Sequence, residues 1–483
     1  MRTKFCSSYI NANVFFTCVF VLILISKQGG AQPQLTYTSI LKGLVSPLEI
    51  KNAGDGSNRL FIVEQGGKVL IIKNNALQAK PFLDISPIIG NSGYQGIWSI
   101  EFAPNYKQTR VFFLLSTGKN GKTELARYQT SNKNPDSADL ATRAVLLSFD
   151  GLSTGGPHFG QMHFGADGYL YFTLSDGSSP DSTTRFSQDS TNLYGKMCRI
   201  NVNVKKAPYY SIPTDNPFAN SSKVRPEIWA FGFRNAWRWS FDYKTDNLWL
   251  PDVEGEQSEE LNVITPVKFG AGKNFGWPCY EGNLNFLLDG CRPASVYTFP
   301  QFTYLHDVPN GGETVIGGYV YRGAAYPTLR NYFVMSDFTS NNAWLVKLKA
   351  NGSLETNLQS NIPPFIESYG LDESGEMYAV AMDSNLYRVG ASTAAIASQE
   401  YNSTNTSADR IFPTVAHTYI MLQLSSAFKY VSITDISGRE VLRKDLQGSK
   451  GLLQVNLPSL SSGMYVVQLT GEKNVQQKVY IEQ

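Results

Sequence analysis

The chain has 483 residues, with 42 Lys and Arg against 40 Asp and Glu for a formal charge of +2, and it carries 41 Gly, 23 Pro, 26 Tyr and 28 Phe with only 17% charged residues. That length exceeds one average domain, and the turn and aromatic usage is that of strands rather than helices. No clustered Lys/Arg stripe of the kind a phosphate backbone attracts is present, which argues against nucleic acid as a partner.

Residues 1–31 read as an export signal. Arg2 and Lys4 precede a hydrophobic run from Val14 to Ile25 that is short for a bilayer, and the small residues up to Ala31 suit cleavage. The alternative is an uncleaved anchor, but no later segment is apolar enough for a stable membrane span. From about residue 36 to 390 the chain repeats one phrase: turn residues, then a short strand that begins with Leu or Met beside an aromatic. NRLFIVEQGGKVLII at 58–72, DGYLYFTLSDG at 167–177, DNLWLPDV at 246–253 and GEMYAVAMDSNLYRV at 375–389 are examples. Spaced strands with no helical period predict an all-β array. Radial repetition protects sheet edges over this length, so a β-propeller with decorated loops fits best, a pair of sandwiches being the alternative.

Five cysteines fall to three once the signal is removed: Cys198, Cys279 and Cys291. Export places them in an oxidising compartment, and the short YEGNLNFLLDG loop favours a Cys279–Cys291 disulfide. Cys198, on the alternating GKMCRINV segment, reads as a small buried hydrophobe. Residues 391–410 turn abruptly to Ala, Ser, Thr and Asn and predict a linker. Residues 411–483 alternate apolar and polar side chains between Ser437–Gly438, Gly448–Gly451 and Ser462–Gly463 turns, which predicts a small antiparallel β-sandwich.

Two stretches carry candidate chemistry. HFGQMHFGADGYLYFTLSD at 158–176 runs from His158 to Asp176, and FGFRNAWRWSFD at 231–242 carries Arg234 and Asn235. A base, a carboxylate and a cation are the inventory for removing a proton from a sugar hydroxyl beside an electron-accepting cofactor.

Seven phrases in order make the large domain resemble the soluble quinoprotein glucose/sorbosone dehydrogenases, a family whose wider membership includes aldose dehydrogenases and hedgehog-interacting-protein-like propellers. They are QGIWSIEFAPNY at 95–106, FGADGYLYFTLSDG at 164–177, LYGKMCRINV at 193–202, EIWAFGFRNAWRWSFD at 227–242, DVEGEQSEELNVI at 252–264, KNFGWPCYEG at 273–282 and IGGYVYRG at 316–323. The resemblance implies a six-bladed propeller that oxidises the anomeric carbon of a sugar with pyrroloquinoline quinone and calcium. Asp176 falls at the family's Asp, Arg234 and Asn235 at its Arg-Asn pair, and Gln95 at a Gln that faces substrate and cofactor. His158 corresponds to the catalytic His only with a one-residue deletion, since Pro157 occupies the ungapped position. His163 lies on the following strand.

The resemblance also implies calcium held by the backbone oxygens of Glu254 and Gly255 and by a carboxylate of the Glu259–Glu260 pair, Glu260 being the ligand taken here. Hard oxygen donors in a short loop are what that ion prefers. The stretches from which the family draws the cations that hold the quinone's carboxylates read MSDFTSNNAW at 335–344 and FIESYGLDESGEMY at 365–378, and neither supplies one. Arg322 and Arg388 are the nearest substitutes. Tight quinone binding without basic partners is costly.

The C-terminal segment resembles the type A sorting domain of cargo of the type IX secretion system, through ITDISGREVLRKDLQG at 433–448, LPSLSSGMYVVQLTGEK at 457–473 and a terminal KVYIEQ. An opening Asn-Pro is replaced by Ile411-Phe412-Pro413, and an Ig-like or carbohydrate-binding accessory module is the alternative. The resemblance implies passage through the periplasm to the cell surface or medium, with the secretion machinery as partner. The function expected is a quinone-dependent aldose dehydrogenase with His158, Asp176, Arg234 and Gln95 at one mouth of the channel, the alternative being a non-catalytic secreted carbohydrate-binding or interaction propeller that has lost the quinone.

Overall fold

The computed structural model describes residues 32–89, 95–149, 159–177, 185–306, 311–360, 362–393 and, with short gaps, 410–481. His158 and residues 1–31 lie outside them.

Aromatic and β-branched runs between Gly, Asn and Asp turns give an all-β chain. Up to Thr393 the described strands form successive antiparallel sheets. Their first strands are Pro47–Asn52, Gly96–Phe102, Phe159–Phe164, Ser240–Asp242, Val315–Val320 and Ile366–Leu371. Each is followed by strands that step outward in chain order, as Leu170–Leu174, Lys196–Ile200 and Ile228–Phe231 follow Phe159–Phe164. First strands neighbour one another in cyclic order, the arrangement of a β-propeller.

The innermost strands are tied by buried polar side chains. Glu49 accepts the Gln161 amide (2.8 Å), the Ser99 hydroxyl (3.0 Å) and the Ile100 N–H (2.7 Å). Lys51 donates to Glu101 (2.5 Å) and to the Met162 carbonyl (3.0 Å), and it lies 3.2 Å from His163 Nδ1. Arg238, 1% exposed, donates to the Leu48 carbonyl at 2.7 Å and stacks on Trp237. Buried networks of this kind fix one arrangement of the blades, because removing the partner of Glu49, Lys51 or Glu101 leaves a buried ionisable group without its hydrogen bond.

The last sheet corrects the expected boundaries. Pro33–Lys42 pairs with Asn385–Thr393, from Pro33↔Thr393 to Lys42↔Asn385, so the domain starts before residue 36 and runs past 390. The small residues of Ala391-Ser392-Thr393 read as linker, yet backbone pairing needs no large side chain there. Cys279 and Cys291 form the expected disulfide, with Arg185 Nη1 3.2 Å from Cys291 Sγ, and Cys198 is a buried free thiol.

The C-terminal segment forms a three-stranded sheet (Arg410–Phe412, Tyr419–Leu424, Gly451–Asn456) and a five-stranded one, which share a hydrophobic cluster around Ile420, Phe428, Val431, Val467 and Val479. Val415–Ala416 pairs parallel with Asn474–Ile481, a departure from the all-antiparallel expectation. No helix among the described residues is long and apolar enough to cross a membrane.

Candidate functional site

Strand polarity gathers the candidate residues. Gln95, Arg234 and Asn235 precede first strands, while Asp176 and the loop from Val253 follow second strands that run the opposite way, so all emerge at one end of the sheets. Gly232 makes the local turn possible. It has φ +85°, and a Cβ there would lie 2.1 Å from Asn274 Oδ1, so only glycine lets the backbone bend into Phe233-Arg234.

Direct contacts then join these loops. The Asp176 N–H donates to the Arg234 carbonyl at 2.8 Å, and the Trp277 indole N–H donates to Asp176 Oδ2. The Arg234 guanidinium lies over the Trp277 ring at 5.5 Å and donates from Nη1 to the Val253 carbonyl at 3.0 Å. Asp252 receives the backbone N–H groups of both Arg234 (3.0 Å) and Asn235 (2.7 Å). Arg234 Nε and Asn235 Oδ1 are buried without a hydrogen-bond partner. A carboxylate, a guanidinium and an amide therefore share one mouth with polar atoms still to be satisfied, the mixture of acceptors and donors that reads a polyol's hydroxyls.

Beside them, Asp252, Glu254 and Glu260 bring carboxylate oxygens within 4.8 Å of one another, and none is more than 3% exposed. Register explains the meeting: Asp252 pairs with Glu260 across neighbouring strands, so both point to one face of the sheet. Burial, with mutual repulsion, raises Glu254 and Glu260 well above the usual carboxylate range, and burial raises Asp252 to about 7 although it accepts two N–H groups. Glu254 Oε2 and Asn262 Oδ1 are buried without partners, while the Asn262 amide N–H donates to Glu260 at 2.6 Å. Three buried acids that the single neighbouring guanidinium of Arg234 only partly offsets, plus an unpaired amide oxygen, fit a hard divalent ion such as calcium. Asp252 stands in this group beside the expected Glu254 and Glu260, and the position a Cβ on Gly255 would occupy is 2.2 Å from Glu281 Oε1, so glycine there makes room for a brace. Glu281 in turn accepts the N–H groups of Glu256 and Gln257.

The quinone does not fit the described residues. Asp337 and Glu367 occupy the stretches from which cations were expected. Asp337 accepts from Tyr304, Thr314, Thr339 and Ser340, and Glu367 is pushed to about 7 by burial, which Arg238 partly offsets. A trianion would meet carboxylates. Neither substitute cation is at this mouth: Arg322 follows the first strand Val315–Val320 at the far end and is paired with Asp242, and Arg388 lies in Asn385–Thr393, 3.8 Å from Glu376. Lys196, near Asp176, is tied to the Phe186 and Tyr194 carbonyls.

Gln95 lies at the same mouth by polarity, with its carbonyl accepting from the Gln65 amide at 3.0 Å. His163 faces Lys51 and Trp239 on its strand and is held neutral by burial and by Lys51. Asp252 and Trp277 were missed as individual residues. The signal for Asp252 was present in the DVEGEQSEELN spacing: a period of two places 260 and 262 on one face, and Asp252 closes the strand before them. His306 was also missed. Its Nε2 lies 2.8 Å from Glu259 Oε1, an atom that also accepts from the Glu254 N–H at 3.3 Å.

The sequence profile of the Glucose / Sorbosone dehydrogenase family matches residues 44–379, and that of the Secretion system C-terminal sorting domain matches residues 410–482. The chain is 30% identical over 355 residues to the HIPL2 protein of Arabidopsis thaliana, covering 60% of this chain and 50% of that one. It is 28% identical over 383 residues to the Hedgehog-interacting protein of Homo sapiens, covering 72% and 50%. The chain thus spans about half the length of the curated relatives it matches. The PQQ-bound aldose sugar dehydrogenase of Streptomyces coelicolor superposes with a TM-score of 0.57 at 17% identity, over 75% of this chain and 99% of that one, a likeness of fold.

Proposed function

This chain belongs to the glucose/sorbosone dehydrogenase family, and we propose that its propeller, six-bladed and spanning residues 33–393, is a secreted sugar-binding protein loaded with calcium. The observation that carries this reading is the meeting of Asp176, Arg234 and Trp277 beside three buried carboxylates. Asp252, Glu254 and Glu260 would hold the ion, and bound there it supplies positive charge that neutralises them. Arg234 and Asn235 donate to sugar oxygens, Asp176 accepts from hydroxyls, and Gln95 contributes its amide from the neighbouring blade.

A second reading is oxidation of the sugar's anomeric carbon, with His158 as base and Asp176 as its partner. It is favoured by Asp176, Arg234 and Asn235 standing together at one mouth in a fold shared with an aldose sugar dehydrogenase. The unfavourable surroundings for a quinone speak against it. The C-terminal two-sheet segment is a β-sandwich that addresses the protein to type IX secretion, so that it leaves through the periplasm for the surface or medium, with 394–409 as the connecting linker.

Purified protein supplied with calcium and pyrroloquinoline quinone, and assayed for dye reduction with a panel of aldoses beside calorimetric titration, separates the readings. The expected result is binding heat with at least one aldose and no dye reduction. Dye reduction establishes the dehydrogenase instead, and absence of both heat and turnover removes both.

A further inference from the structure

The metal cluster and the sugar-facing loop share one residue. Asp252 contributes to the group of three carboxylates, and the same side chain receives the Arg234 N–H on Oδ2 at 3.0 Å and the Asn235 N–H on Oδ1 at 2.7 Å. Beyond those two residues the chain of contacts continues to Trp277, through the guanidinium at 5.5 Å, and to Asp176, through the indole N–H and the Arg234 carbonyl. From this geometry we infer that Asp252 is a positioning residue: a divalent cation held by this protein's own side chains, without an organic cofactor, sets Arg234 and Asn235 in place for a sugar. The inference rests on the calcium part of the reading above.

Asp252 is buried against Glu254 and Glu260, and each of its two carboxylate oxygens accepts one N–H of the loop. Three carboxylates this close repel one another, which works against keeping the Asp252 side chain where both bonds are made. A cation held in the cluster would offset that repulsion and so hold the side chain, and with it both bonds to the loop. Independent atoms point the same way. Glu254 Oε2 and Asn262 Oδ1, on residues 2% and 1% exposed, have no hydrogen-bond partner, and both are oxygens of the type calcium takes. Asn235 Oδ1 and Arg234 Nε, also buried and unpartnered, lie on the loop that Asp252 holds. The apparatus is thus built from side chains of 252–262 and the backbone N–H groups of 234–235, and needs no group from outside except the ion.

The test uses the full mature chain, calcium chloride alone and no sugar, read by hydrogen exchange at the Arg234 and Asn235 amides beside calorimetric titration of the ion. In the native protein, saturating calcium is expected to slow exchange at these two amides at least tenfold. Glu254→Gln, which keeps Asp252, is expected to weaken calcium binding about tenfold while reaching the same protection once saturated. Asp252→Asn, saturated at higher calcium, is expected to bind without protecting the two amides. Calcium that binds native protein and leaves exchange at 234 and 235 unchanged overturns the coupling while sparing the metal site. Equal protection in saturated Asp252→Asn overturns it as well, and absence of any calcium binding removes both the coupling and the calcium reading. Should Asp252→Asn fail to fold, the native titration decides alone.

Discussion

Deletion of residues 33–42 is expected to abolish cooperative folding of the propeller. This strand is the outermost of the last sheet, paired along Asn385–Thr393, and it reaches the neighbouring sheet as well: the Leu35 N–H donates to Gln359 Oε1 at 2.9 Å, and Gln359 Nε2 donates to the Pro33 carbonyl at 3.3 Å. Tyr37 and Tyr369 hydroxyls meet at 3.0 Å. Loss of the strand exposes a sheet edge and unpairs the ends of a closed ring, at a cost on the order of the roughly 5–15 kcal/mol that holds a whole domain. Thermal melting followed by circular dichroism checks it. Truncation after Thr393 is the contrast: it removes the sorting segment, keeps every pair of the last sheet, and is expected to leave the propeller's melting within about 2 °C of the full chain. A truncated propeller that unfolds would show that the two parts share a core.

Trp277→Ala is expected to be the most damaging single change at the mouth. The side chain is 2% exposed and stacks on Phe286 at 5.4 Å. Its removal costs about 3–5 kcal/mol of stability and takes away both the ring beneath Arg234 and the N–H bonded to Asp176. Trp277→Phe separates these effects. It keeps most of the packing and loses the N–H, so melting drops by a few degrees while aldose affinity falls at least about tenfold, as expected for one hydrogen bond to a charged group. Unchanged aldose affinity in Trp277→Phe would detach Trp277 from the binding site.

Much of this was legible in the residues. Turn-bounded aromatic strands announced the all-β propeller, and the paired phrases around Asp176 and Arg234 announced a shared mouth, because each lies at a strand end where loops converge. Asp252 was harder to see. Its role depends on the register that sets it opposite Glu260, and register is a property of two strands together. Trp277 reaches Asp176 across 101 positions of sequence, so no local pattern could join them. The polar ties of Glu49, Lys51, Glu101 and Arg238 were hidden for the same reason: each reads locally as a break in an apolar pattern, and only the packing of separate segments makes their partners meet. The linker was misplaced by three residues because Ala391-Ser392-Thr393 pairs through its backbone, which composition does not register.

The mouth carrying Asp176, Arg234 and the Asp252 cluster is expected to bind a sugar only when a divalent cation is in place. Calorimetric titration of an aldose panel into calcium-loaded and chelator-stripped protein tests it most directly. At least one aldose is expected to give binding heat with the loaded protein, with affinity reduced at least about tenfold after stripping, a difference of roughly 1.4 kcal/mol or more. Equal affinity in both samples would show that sugar binding does not depend on the ion, and no heat with any aldose in the loaded one would remove the sugar site.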